Sequence, residues 1–160
     1  MSFSITKQTE GARLIVKIAG GVDEDASFQP LEFGAATSLV LDLEGVTAIN
    51  SVGIQEWIKW IKWIKAVPST IKLSVRRCPK IIVDQINMAA GFLPPATIIE
   101  SFFVPYYADS TGSEKMVLFG NGKEYKDGEI HPPAEVKDDS GEVMEMDVIE
   151  AKYFNFLKNA

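Results

Sequence analysis

The stretch that most restricts the fold runs from residue 38 to residue 76. "SLVLDLEG" is a near-continuous apolar run and reads as a buried strand at 38–43. "VGIQEWIKWIKWIK" follows at once and reads as a helix over about 52–65, with Trp-Ile-Lys three times in succession. "STIKLSVRR" then gives another strand at 70–76. Strand, helix and strand in that order build a sheet covered by helices on one side. Each such crossover is right-handed.

The flanking segments extend this pattern. "SFSITKQ" alternates apolar and polar residues, and "ARLIVKIAG" follows it across the turn "TEG". Together they predict an opening hairpin. "GGVDEDASFQPLEFGAA" is a turn-rich connection with room for a short helix. "CPKIIVDQINMAAG" predicts a second helix, with Pro79 in its first turn and Gly91 past its end. "ATIIESFFV" predicts a further strand. The expected class is α/β, a mixed β-sheet with helices packed on one side, over residues 1–103. After Val104 the pattern changes to short strands between glycine-rich turns. Residues 104–160 therefore read as a small β-rich extension ending in a helix at 147–158. Asp147 is the expected cap of that helix, with Glu150 at the capping-box position.

Charge and composition exclude several functions. Residues 1–100 carry equal numbers of acidic and basic side chains, so the net charge of −6 lies in residues 101–160. A chain of this balance is not expected to bind nucleic acid. No apolar run is long enough to span a bilayer. The beginning, "MSFSITKQTEGARL", has no basic region followed by an apolar stretch, so no secretion signal is expected. The single cysteine, Cys78, excludes an internal disulfide and fits a reducing cytoplasm. One histidine, one cysteine and no phosphate-binding glycine loop leave little for catalysis, and no cofactor is expected. Cys78 lies at a helix start, a place that can lower a thiol pKa.

Two segments are similar to known families. "LVLDLEGVTAINSVGIQEWI" resembles the central signature of STAS domains, the anti-sigma-factor antagonist fold. "IAGGVDED" and "CPKIIVDQINMAAGF" match further landmarks of that family in order. The resemblance covers about residues 1–103. It implies a non-enzymatic regulatory module that binds a protein, such as an anti-sigma-factor serine kinase. It also implies phosphorylation at Ser51. Asn50 stands where the family has Asp, and Val52 where it has a second serine. Thr47 is the alternative hydroxyl. A module that has lost the switch and acts as a constitutive scaffold or homodimer is the other reading. "VPYYADSTGSEKMVLF" and "HPPAEVKDDSGEVMEMD" resemble a zinc ribbon without its cysteines, with Ala108 and Thr111 at the first knuckle and Ala134 at the second. No metal is expected there. The cluster around Asp138 does not have EF-hand spacing and reads as a solvated acidic turn.

The residues around Ser51 carry a physical argument of their own. Ser51 stands where a loop enters a helix, so its hydroxyl can cap the first turn. A phosphate there would add about −1.5 to −2 charges at a site read as otherwise neutral. On a helical wheel Ile54, Trp57, Ile58, Ile61 and Ile64 share one arc, and Gln55, Glu56, Lys59 and Lys62 lie opposite. This is a core stripe rather than a membrane-lying face. Trp60 falls at the flank and Trp63 within the polar arc. Trp63 either meets a partner or packs under the C-terminal segment. The candidate partner surface is Asn50, Ser51, Val52, Gly53, Glu56, Lys59, Trp60 and Trp63.

Overall fold

The computed structural model of the chain describes residues 3–66, 71–89 and 91–159. A five-stranded sheet is built from β1 (Ser4–Glu10), β2 (Arg13–Val22), β3 (Ser38–Ile49), β4 (Lys72–Arg76) and β5 (Ile98–Ile99), in that spatial order. β1 and β2 form the expected antiparallel hairpin, with Gly11 and Ala12 as its turn rather than Thr-Glu-Gly. β3, β4 and β5 join in parallel. The crossovers are α1 (Ser51–Ala66) and α2 (Lys80–Met88). The mixed α/β class expected from the sequence is the observed one.

Alternation in the strands decides which face is covered. Leu14, Val16, Leu39 and Leu41 turn to one side and join Trp57 and Ile82 of the two helices in one core. The other face is mixed, with Ile15 and Val40 buried side by side and charged residues next to them. Lys17, Asp42 and Arg76 lie in register across β2, β3 and β4. Arg76 Nε donates to the buried Asp42 carboxylate at 2.9 Å. Arg13 of β2 reaches Glu100, just past Ile99, at 2.9 Å.

Two sequence readings need correction, and one that the sequence leaves open is resolved. First, β3 continues to Ile49 instead of stopping at 43. Past Asp42 it leaves β4 and pairs with β2 alone, through two register shifts. Second, the connection 23–37 contains no helix and forms an irregular strap beside α1. Third, "ATIIESFFV" is not one strand. β5 ends at Ile99, and β6 (Ser101–Tyr107) belongs to a second sheet. Glu100 stands between them. Its N–H donates to Val75 O of the first sheet, and its carbonyl accepts from Asn121 N–H beyond the second.

The second sheet has the order β10 (Val136–Lys137), β11 (Val143–Met146), β6 and β7 (Glu114–Gly120), all antiparallel. β8 (Tyr125–Lys126) and β9 (Glu129–Ile130) form a separate small hairpin. Phe102 of β6 is fully buried at the centre of an aromatic cluster with Phe119, Tyr125, Tyr153, Phe154 and Phe156. The position between residues 103 and 104 therefore falls inside a strand, and the change of sheet comes at Glu100. The chain ends in a single turn of helix, α3 (Glu150–Tyr153), followed by a 3-10 turn, Phe154–Asn159. Asp147 does not cap it. Its N–H donates to Pro105 O and prolongs the ladder of β11 with β6. Among the described residues no helix is long and apolar enough to cross a membrane.

Candidate functional site

The start of α1 is built by Asn50. Its Oδ1 accepts the Gly53 N–H at 2.9 Å, and its carbonyl accepts the Ile54 N–H at 2.9 Å. An N-cap side chain meets the third helical N–H, and Asn50 to Gly53 has that spacing. The cap is thus Asn50 rather than Ser51. Ser51 is the first helical residue and is exposed, as is Val52 beside it. Thr47 is also exposed, and the register of β3 with β2 skips it between Val46 and Ala48.

Asn50 has a second task. Its Nδ2 donates to Glu24 Oε2 at 2.9 Å. Glu24 lies between Asp23 and Asp25, whose loop is closed by the Asp25 N–H on Asp23 Oδ1 at 2.9 Å. The surroundings of Ser51 are therefore acidic, not neutral. The Asn50 hydrogen bond holds the Glu24 carboxyl below its ordinary pKa. Asparagine at position 50 thus has a physical reason. A carboxylate at position 50 could still cap Gly53, but it would face Glu24 with no proton to give.

This leads to an expected result for Asn50→Asp. In the native chain the Glu24 contact stabilises the fold above the ordinary carboxyl pKa and is lost as pH falls through the lowered value. In Asn50→Asp the Glu24 midpoint should move above its ordinary value. NMR titration of the Glu24 side chain measures it. An unchanged midpoint would show that Asn50 does not hold this carboxylate.

The tryptophans of α1 pin loops to the helix. Trp57 is fully buried, stacks on Phe92 at 5.1 Å and donates its indole N–H to Phe92 O at 2.7 Å. Trp60, expected at the flank of the helix, is only 4% exposed. It donates to Gln29 O at 3.0 Å and lies 5.1 Å from Phe28. Trp63 is half-buried and stacks on Phe33 at 6.1 Å. It packs on the strap 23–37, not on the C-terminal segment.

A shallow cleft of about 260 Å³ is lined by Phe28, Pro30, Glu56, Lys59, Trp60 and Trp63. Lys59 and Glu56 form an ion pair of 3.4 Å in its lining. The structure thus gathers Asn50, Ser51 and Val52 at the helix start, and Glu56, Lys59, Trp60 and Trp63 at the cleft. Gly53 lies beneath the surface, where a Cβ would sit 1.8 Å from Val22 O. Glu24, Phe28 and Pro30 were missed in the sequence reading. The apolar residues of "ASFQPLEF" were the available signal for the last two.

The other candidates resolve differently. Cys78 is fully buried, and burial, reinforced by the Asp42 carboxylate, pushes its thiol pKa up rather than down. Two hairpin turns of the second sheet meet where Thr111 Oγ1 donates to Asp138 Oδ2 at 2.6 Å. Asp138 Oδ1 accepts the N–H groups of Ser140 and Glu142, each at 2.9 Å. Its carboxyl is held below the ordinary value, first by Thr111. Ala108 and Thr111 frame the first turn, but Ala134 lies ahead of β10, outside the second. Among the described residues no group of three or more His, Cys, Asp or Glu side chains is placed to hold a metal. Compared with protein-family models and with curated proteins, the chain gives no match.

Proposed function

We propose that this chain is a non-enzymatic, STAS-like regulatory module that binds a protein through the start of α1 and the adjoining cleft, with Ser51 as its switch. The observation that carries the proposal is the division of labour between Asn50 and Ser51. Asn50 takes the capping bond, and Ser51 stands exposed at the first position of a 16-residue helix. A phosphate on Ser51 would gain from the helix N-terminus. It would also bring about −1.5 to −2 charges to the Glu24 loop. Repulsion between the two would strain the Asn50–Glu24 bond and alter the surface that a partner meets. An anti-sigma-factor serine kinase is the partner class that the STAS resemblance suggests.

The test begins with protein purified from its native cells. Mass spectrometry of residues 46–59, with and without phosphatase, should find phosphate on Ser51. Ser51→Asp should then weaken retention of the native partner at least tenfold, with Ser51→Ala binding as the unmodified chain does. Phosphate on Thr47 would move the switch to the β3 extension. No phosphate across growth phases, with equal binding by both variants, would replace the switch with a constitutive scaffold.

A further inference from the structure

The second sheet ends in an edge that is unlike the others. β7 is seven residues long, and among the described residues no strand pairs with its outer side. The β1 edge carries Lys7 and Glu10, and β5 and β10 have two residues each. β7 has no charge after Lys115. Natural edges are kept from pairing by charge or by shortness, and from Met116 onward β7 has neither.

Its backbone groups can be assigned. Ala108 N–H donates to Ser113 O at 2.9 Å, and Asn121 N–H donates to Glu100 O at 2.9 Å. These hydrogen-bonded pairs continue the β6–β7 register by one step at either end. By the antiparallel alternation, Lys115, Val117 and Phe119 turn their backbone groups to β6. Glu114, Met116, Leu118 and Gly120 turn theirs outward. Gly120 fits this assignment, because its N–H donates to Glu124 Oε1 at 3.2 Å and its carbonyl accepts from Lys123 and Glu124. That leaves Glu114, Met116 and Leu118 on the edge. The Met116 and Leu118 side chains are 46% and 42% exposed, on the face shared with Phe103 and Pro105.

We infer that β7 pairs antiparallel with β7 of a second copy of this chain, about a two-fold axis at Met116. The three free positions are symmetric about Met116, so the edge is its own complement. Met116 meets its counterpart, and Glu114 and Leu118 meet each other on both sides. Such a contact is isologous and closes after two copies. It joins the two second sheets into one. The strand is about 24 Å long. Strand pairing alone falls below the ~1,200 Å² of a standard interface, which puts the association in the weak, concentration-dependent class. The inference does not rest on the α1 surface, and Ser51→Asp should leave it unchanged.

Light scattering on the full chain across the micromolar range tests it. The mass should rise from 17.6 kDa toward twice that value with concentration. Met116→Lys, with its fold checked by circular dichroism, should remain at the single-chain mass. Met116→Cys supplies a second measurement. Hydrogen-bonded antiparallel partners have Cα atoms about 5.5 Å apart, within disulfide reach. Buried Cys78 leaves position 116 as the reactive thiol. Oxidation should yield linked dimers, and Thr6→Cys on the β1 edge should not. A single-chain mass at every concentration would overturn the inference. So would a dimer that survives Met116→Lys, or linkage at position 6 as readily as at 116.

Discussion

Gly53→Ala should destabilise the chain by about 3 kcal/mol or more, measured by denaturant unfolding. The sign is opposite to the usual one, since alanine in a helix is favoured over glycine by about 1 kcal/mol. Here the new Cβ would lie 1.8 Å from Val22 O and 2.4 Å from Val22 C. Those are backbone atoms at the end of β2, so no rotamer change relieves the contact. The helix start cannot simply retreat either, because Val22 O also accepts the Asn50 N–H at 3.1 Å. Moving α1 away would break that bond and disturb the cap that leaves Ser51 at the first helical position. Gly120→Ala is the control, since a Cβ there meets nothing within 4 Å. A Gly53→Ala chain as stable as this control would mean that the helix start is not locked to β2.

Trp57→Ala should cost about 3–5 kcal/mol. Trp57 is 1% exposed and touches Phe92, Trp60 and Phe28 in one aromatic group. Its removal opens a cavity and leaves the buried carbonyl of Phe92 without its donor. For a chain of this length the loss corresponds to a fall in Tm of roughly 10 °C. A change below about 1 kcal/mol would show that the segment around Phe92 collapses onto the vacant space.

The first sheet was legible because each strand and helix announces itself locally. Apolar runs, the Pro79 signal and the spacing of the Trp-Ile-Lys repeat are properties of neighbouring residues. What escaped reading depends on distant ones. The helical wheel assumed one wall of core beneath α1, so it put Trp63 among the polar residues. The strap 23–37 supplies a second wall, through Phe28 and Phe33. Asn50 and Ser51 are about equally good caps by type, and intrinsic preference could not choose between them. The structure gives the role to Asn50, which also holds Glu24, 26 residues away in sequence. The strand at 96–104 looked continuous because β-forming residues flank Glu100 and Ser101 on both sides, with no Gly or Pro between them. Only pairing partners reveal that one strand is two. The meeting of Thr111 with Asp138 likewise joins turns 27 residues apart.

The junction at Glu100 bears on how such a chain can be inherited. One residue gives its N–H to one sheet and lends its carbonyl to the other. Two residues later, Phe102 is the centre of the second sheet's aromatic cluster and bridges to Cys78, just past the end of β4. A recombination event just before Glu100 would cost the first sheet the Glu100 bond to Val75 O and the Arg13–Glu100 ion pair. One just after Phe102 would take the aromatic centre from the second. The two halves are therefore poor cassettes for shuffling between genes, and a lineage that keeps one of them is constrained to keep the other.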